Sequence, residues 1–327
     1  MAPHAAAPTP YHPGSRAVQD KAGVRELADH VGRSISQGIR PVAAAFLEIQ
    51  PQLVIAAADS ARAADSTRAA DSARAADPTR GAVWASLLTG TPGFVRATGP
   101  RQISITATPH ATDPLAAALT RETTPVGTLA LDPRTRRRMR LNGRSRPAPR
   151  GLAIEADQVF ANCPKYLQKR TLHEERTPQG GRGPQGGPGA PRHTTRLTDA
   201  QRASVAASDT FFLATAHAHG ADAGHRGGNP GFVRVTSATT LEWDDYPGNA
   251  MFLSLGNLHD DPRAGLLFLD WRTGTTLQLT GTARTDHADD GSRTVRFTLT
   301  ETVETPSASP WRWSDPEYSP ANPALGD

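Results

Sequence analysis

Cysteine is almost missing from this 327-residue sequence: Cys163 stands alone. One thiol excludes an internal disulfide and any multi-cysteine zinc framework, and it suits a reducing compartment. Long apolar runs are missing too; no stretch approaches the roughly 18 residues of a membrane-spanning helix. The opening residues, Met1-Ala2-Pro3-His4-Ala5-Ala6-Ala7-Pro8, lack the basic-then-apolar pattern of an export signal. A soluble, cytoplasmic protein with no membrane partner is the expectation. The chain also has no Walker A loop, no Gly-x-Ser-x-Gly elbow and no His-Glu-x-x-His helix, which excludes the reactions those motifs announce. Hydrophobic content is only 37%, against 29 glycines and 28 prolines, so part of the length is linker or low complexity rather than core.

Lysine disappears after residue 196. From 197 to 327 there are 9 arginines and 17 acidic residues, a net of −8, whereas the remainder carries 27 basic and 15 acidic residues, a net of +12. A basic segment of this size would suit nucleic acid if it stood alone. An acidic partner within the same chain favours intramolecular pairing instead, and nucleic acid is disfavoured.

What is present is a repetition. Gly90-Thr91-Pro92-Gly93-Phe94-Val95-Arg96 returns as Gly228-Asn229-Pro230-Gly231-Phe232-Val233-Arg234, at an offset of 138. The same offset relates Val126–Thr135 to Ala264–Thr273, and Leu141 and Gly143 to Leu279 and Gly281. Two motifs that keep one spacing over some fifty residues indicate two copies of one domain. The expected organisation is 1–40 as a disordered start plus an N-terminal helix, and 41–172 as the first copy. A Gly/Pro-rich linker over 173–196 and a second copy over 197–327 follow. Inside the first copy, 57–80 is a run of four Ala-Ala-Asp-(Ser/Pro)-(Ala/Thr)-Arg hexamers, read as an expanded hairpin loop without chemistry.

Apolar spacing predicts a helix from Ser15 to about Arg40 and a short one over 41–48. Others are expected around 114–120, from Thr198 or Asp199 to Ala207, and over Asn249–Asp260. The rest reads as strands, clearest in the alternation of Thr275–Gly281. Six or seven antiparallel strands around one short helix describe a small closed or split barrel, so the chain is mainly β with a few short helices. The tail carrying Trp311, Trp313 and Tyr318 is expected to lie across the surface.

The best candidate site is His225-Arg226-Gly227-Gly228-Asn229. Paired glycines allow a close backbone approach, and arginine offers a fork matched to phosphate oxygens. Arg234 follows on the next strand, and Asp244, Asp245 and Asn249 arrive beside a helix start. A glycine-rich turn with solvated charges remains the alternative. In the first copy the twins of His225-Arg226 are Leu87-Leu88 and the twin of Asn249 is Ala111, so one copy looks equipped for a ligand and the other stripped. The basic run Arg134, Arg136, Arg137, Arg138 and Arg140 is either a solvated hairpin or a contact with phosphate or with the acidic copy. His217, His219 and His225 raise a metal site, but with Gly220 and no supporting cysteine a solvated hairpin tip is favoured, and no metal is expected.

These residues resemble the flavin-nucleotide-binding split barrels related to pyridoxamine 5'-phosphate oxidase, and in particular actinobacterial-type members with two such domains in tandem. The motifs that carry the resemblance are His225–Val235, Gly248–Phe252 with Leu255–Leu258, Gly265–Asp270 with Leu277–Gly281, and, in the first copy, Trp84–Leu87, Pro92–Arg96 and Asn162–Gln168. It covers roughly 15–56, 81–172 and 197–320. The resemblance implies two tandem FMN-binding split β-barrels forming an internal pseudo-dimer, with FMN held non-covalently between them. It implies Arg226 and Arg234 on the FMN phosphate, Val233 and Val235 offering backbone to the ring, and Asp245 and Asn249 on ribityl or phosphate. His225, Gly227, Gly228 and Met251 complete that side. Arg136 and Arg138, with Asn162, Lys165 and Tyr166, close the site from the first copy. The function implied is an FMN-dependent oxidoreductase whose small-molecule substrate, electron donor and catalytic residues the sequence does not name. A deazaflavin-dependent reductase on the same fold and a non-catalytic flavin-binding or stress-related module remain the alternatives.

Overall fold

The computed structural model describes residues 9–59, 81–173, 188–218 and 220–324. The hexamers beyond Asp59, most of the Gly/Pro-rich stretch, His219 and the ends of the chain lie outside these residues. Among the described residues no helix is long and apolar enough to cross a membrane.

Two antiparallel sheets dominate. The first holds β1 (Gln52–Asp59), β2 (Ala82–Thr89), β3 (Val95–Ala97), β4 (Gln102–Ile105), β5 (Thr124–Asp132), β6 (Arg137–Ala148) and β7 (Gly151–Ala161). After the short strands β8 (Leu172–His173) and β9 (Arg192–Thr194), the second sheet holds β10 (Thr210–His217), β11 (Gly220–Gly227), β12 (Val233–Ser237), β13 (Thr240–Asp244), β14 (Arg263–Leu269), β15 (Thr276–His287) and β16 (Arg293–Thr305). Their orders are β2-β1-β5-β6-β7-β4-β3 and β11-β10-β14-β15-β16-β13-β12, the same path traced twice. β9 adds to the second sheet beside β16. The fold is mainly β, two split barrels paired as an internal pseudo-dimer.

The repeated glycines explain what the repetition preserves. Gly127 in β5 and Gly265 in β14 lie where the barrels cross: a Cβ on the first would meet the Ala223 nitrogen at 2.5 Å, and one on the second the Val83 oxygen at 2.6 Å. Only a residue without a side chain lets the two backbones approach so closely. Gly143 and Gly281 each mark a register shift in the long hairpin of their sheet, β6–β7 and β15–β16, where a Cβ would collide with the carbonyl of Glu155 or Thr298. A bulge of this kind bends a strand so that the sheet can curl.

Each barrel has its own apolar core, with Leu53, Ile55, Trp84, Ile103 and Leu141 in the first and Phe211, Trp243, Leu266, Leu279 and Phe297 in the second. A third cluster joins them, built from Val54, Ala85 and Leu129 on one side and Phe212, Ala214 and Leu267 on the other. Polar contacts across the join follow the charge asymmetry. Arg140 pairs with Asp222 at 2.7 Å, Arg170 with Asp209 at 2.5 Å, and Arg136 and Lys169 with Glu317 at 3.1 and 3.3 Å. In each case the cation comes from the basic half and the carboxylate from the acidic half.

The helices are shorter than periodicity suggests. The expected helix from Ser15 to about Arg40 is two, α1 (Pro13–Lys21) and α2 (Arg25–Gly32), because Gly23 adopts φ +65° between them. Next come α3 (Pro41–Glu48) and α4 (Asp199–Ala207), the latter started by a Thr198–Gln201 capping box. Only a 3-10 turn, Ala118–Thr120, forms where 114–120 was expected to be helical. α5 spans Leu253–Asp260 rather than starting at Asn249, since Ala250 and Phe252 are left-handed at φ 60° and 52°. The tail does more than cover a surface: β17 (Arg312–Trp313) pairs with β8, and Trp313, 2% exposed, packs edge-on against Trp271.

Candidate functional site

The β10–β11 hairpin carries His225 and Arg226 to its far end, opposite Phe212 and Phe211. Facing them across the join is β6, whose alternation places Arg138 and Arg140 on one face. The chain leaving β7 adds Asn162, Cys163, Lys165 and Tyr166, and the segment between β13 and α5 adds Asp245, Tyr246, Asn249 and Met251. Together these line a cleft that opens to solvent. It belongs to neither barrel alone.

Positive charge dominates the wall. Arg140 is answered by Asp222, which also accepts from Ser254 at 2.8 Å and Asn142 at 3.1 Å. Arg226 shares Asp245, at 3.6 Å, with Arg293 at 3.1 Å. Arg138 makes its hydrogen bonds to neutral acceptors, the His225 Nδ1 at 2.6 Å and the Cys163 carbonyl at 2.9 Å. Burial lowers the Arg138 pKa to about 9, with Arg140 and Arg226 pushing the same way. Burial likewise lowers that of Arg226, against the pull of Asp245. His225 is held well below 6.5 by burial first and then by Arg138, Arg226 and Arg140, so it is neutral.

That neutrality fixes its tautomer. A guanidinium only donates, so His225 Nδ1 accepts from Arg138 and the ring proton is on Nε2. His225 Nε2 is buried without a hydrogen-bond partner, and so are the Nε atoms of Arg138, Arg140 and Arg226. Four buried N–H donors in one wall therefore lack an acceptor. Buried donors left unpaired cost on the order of 1–3 kcal/mol each, so a group rich in acceptor oxygens and negative charge fits them.

The backbone around the cleft is strained. Tyr166, Ala250 and Phe252 have φ of 64°, 60° and 52°, three of the five non-glycine residues described with positive φ. Such conformations concentrate where surroundings hold a site in shape. Tyr166 and Tyr246 stand 5.2 Å apart at 48°, and Tyr166 donates to the Pro247 carbonyl at 3.0 Å. Burial raises both phenol pKa values.

Ten of the expected site residues are brought together here: His225, Arg226, Gly227, Asp245, Asn249 and Met251 from the second barrel, and Arg138, Asn162, Lys165 and Tyr166 from the first. The other five are placed elsewhere. Gly228 packs on Phe232 and donates to the Asp209 carbonyl. Val233 belongs to the second core. Arg234 is bidentate to Asp244 at 2.9 and 3.1 Å and, with Val235, borders an open groove beside α4. Arg136 holds the tail through Glu317 and the Tyr318 carbonyl. Among the described residues there is no group of His, Cys, Asp and Glu able to hold a metal.

Sequence reasoning missed Phe160, Tyr246, Phe252 and Ser254 as site residues, whereas Arg140 belongs to the basic run read as a contact with phosphate or with the acidic copy, and it pairs with Asp222. The 138-residue offset makes Gln278 the twin of Arg140. At the equivalent place in the other half, Gln278 donates to Asp113 at 3.1 Å and to the Ala85 carbonyl at 3.0 Å. Ser86 and the Leu115 amide also donate to Asp113, at 2.6 and 2.8 Å. Leu87 and Leu88 replace His225 and Arg226, and Leu88 is 1% exposed. This twin is a buried, mutually satisfied network without a guanidinium.

Residues 197–304, essentially the second barrel, match the family model described as pyridoxamine 5'-phosphate oxidase. Solved structures that align with part of this chain include a putative pyridoxamine 5'-phosphate oxidase from Lactobacillus delbrueckii, at 17% identity and TM-score 0.29, over 33% of this chain and 94% of that one. An FAD-binding protein from Mycobacterium smegmatis aligns at 12% identity and TM-score 0.25, over 36% and 98%. A pyridoxinephosphate oxidase family protein from Clostridium acetobutylicum aligns at 12% identity and TM-score 0.26, over 34% and 88%. No curated protein matches the chain.

Proposed function

For a chain whose second barrel belongs to the pyridoxamine 5'-phosphate oxidase-like family, we propose that the inter-barrel cleft binds one flavin, FMN, and that the protein is a flavin-dependent oxidoreductase. The observation that carries this reading is the set of four buried N–H donors without acceptors, on Arg138, Arg140, Arg226 and His225. A phosphate group offers several acceptor oxygens and the charge that three guanidinium groups and too few carboxylates call for.

In this reading Arg138 and Arg226 take the phosphate, and His225 adds its Nε2–H as a neutral donor. Asp245 keeps Arg226 in place while Arg293 keeps Asp245 in place. Asp222 holds Arg140 from below. Tyr166, Tyr246 and Met251 offer flat or apolar surface to a ring system, and the third dimension of the cleft comes from both barrels. A bound flavin would supply the two-electron redox chemistry, while the protein positions it and limits water. Filling of the Asp113–Gln278 twin leaves a stoichiometry of one per chain.

The donor set selects phosphate, which FMN, FAD and a deazaflavin cofactor share, so the choice of ring is read by experiment. Purified protein is examined by visible absorption, the released chromophore is identified, and FMN, FAD and a deazaflavin are titrated into the stripped chain. One FMN per chain, bound more tightly than the others and reduced and reoxidised with a supplied donor and acceptor, is the expected result. A deazaflavin preferred over FMN transfers the reading to the deazaflavin reductase. Binding without turnover leaves a flavin-binding module. No binding of any of the three removes the reading.

A further inference from the structure

One segment that backs the cleft wall comes from neither barrel. α1 precedes the first sheet in sequence, yet it lies against α5 of the second. The two backbones approach so closely that a Cβ on Gly256 would meet the Ser15 Cα at 2.5 Å. Tyr11 and Ala28 pack with Phe160, Met251 and Leu253, all three of which line the cleft. Behind the first barrel the same segment is tied by Gln158 donating to the Pro10 carbonyl at 2.8 Å and by a bridge between Ser36 and Val159.

Gln19 is the fully buried polar residue of this segment that reaches the cleft wall. Its Nε2 donates to the Met251 carbonyl at 2.9 Å, and its Oε1 accepts from Arg16 at 2.9 Å. Met251 stands between Ala250 and Phe252, the two left-handed residues that delay the start of α5. Side-chain-bearing residues avoid that conformation, so such a turn keeps its shape only while its surroundings hold it. Within the turn the Met251 amide donates to Asn249 Oδ1 at 3.3 Å. The Gln19 bond is the link between α1 and the carbonyl at its centre.

We propose that Gln19 is a positioning residue for the cleft: it holds the Ala250-Met251-Phe252 turn, so that docking of the N-terminal segment and binding in the cleft strengthen one another. The hold on the turn stands on geometry alone, whereas the effect on affinity rests on the cofactor reading above. Linkage makes the coupling reciprocal, so FMN would also slow the opening of α1.

Two variants of the full chain test this. Gln19→Glu keeps the size of the side chain and its bond from Arg16 but has no N–H for the Met251 carbonyl at neutral pH. Gln19→Met keeps the volume and loses both bonds. Hydrogen exchange of residues 246–256 is measured in the unliganded chain, FMN affinity by fluorescence titration, and overall folding by thermal midpoint. Both variants should show roughly tenfold faster exchange at 246–256 and a roughly tenfold higher Kd for FMN, the scale of one buried hydrogen bond. Exchange in β15 should stay as in the parent, a pattern that a general loss of packing does not give. Parent-like exchange at 246–256 in both variants overturns the proposal. Faster exchange with unchanged FMN affinity overturns the coupling. If the parent chain binds no FMN, the cofactor reading fails by itself and the exchange data still decide what Gln19 does.

Discussion

Arg140 and Gln278 occupy equivalent positions in β6 and β15 and reach in opposite directions across the join, Arg140 to Asp222 at 2.7 Å and Gln278 to Asp113 at 3.1 Å. The first contact forms the floor of an open, cationic cleft with unpaired donors. The second closes a network in which Asp113 accepts from Ser86, the Leu115 amide and Gln278. The two ends of one pseudo-symmetric interface thus have different chemistry.

Arg226→Ala should weaken FMN binding about ten- to a hundredfold, the range of hydrogen bonds to a charged group. Leu88 is its twin and has no charge to offer. Leu88→Ala should destabilise the first barrel by about 2–4 kcal/mol through a cavity and leave the affinity unchanged. Fluorescence titration and urea unfolding of the two variants read these separately, and equal losses of FMN would contradict a single asymmetric site.

His225 gives a pH dependence with a definite sign. Its folded-state pKa lies well below 6.5, so the folded chain keeps it neutral while the unfolded chain takes up a proton as pH falls through about 6.5. The unfolded state then binds more protons, and this contribution to stability is lost on acidification below that pH, at a slope of up to about 1.4 kcal/mol per unit. Urea midpoints measured from pH 8 to 5 should fall less steeply in His225→Gln than in the parent.

Asp222 is 2% exposed and neutralises a buried arginine. Asp222→Ala leaves Arg140 without a carboxylate and removes the acceptor of Ser254 and one of the two acceptors of Asn142, at a cost of about 3–5 kcal/mol. Asp199→Ala removes a carboxylate that is 99% exposed and should leave the urea midpoint nearly unchanged.

The crossing of the two barrels is testable at its glycines. Gly127→Val or Gly265→Val forces a side chain against the backbone of the opposite half and should lower the thermal midpoint sharply, by more than about 5 °C. Gly248→Ala meets nothing within 4 Å and should unfold like the parent.

Much of this molecule is legible in its sequence, for identifiable reasons. The twofold path of the sheets follows from glycines at fixed spacing, because close approach and bulges tolerate no other residue. Of the ten expected site residues that share one cleft, Arg138, His225, Arg226 and Gly227 are set there by strand alternation and hairpin register, whereas the six on the segments after β7 and β13 were expected from the family resemblance. Arg234 is instead paired with the neighbouring Asp244 across the β12–β13 hairpin. Arg136 is likewise drawn off by the distant Glu317. Tyr246 and Phe252 carried no periodic signal, and Gln19 contributes only through a contact over more than two hundred residues of chain.

The filled twin has a consequence for how the molecule responds to its ligand. A pair of identical clefts can influence each other, so that occupation of one changes the other. Among the described residues of this chain, the cleft at His225 and Arg226 is open, whereas its twin position is occupied by Asp113, Ser86 and Gln278. On the proposal of one flavin site per chain, a chain acting alone should therefore saturate hyperbolically, with a Hill coefficient of about 1, graded rather than switch-like in the concentration of what it binds.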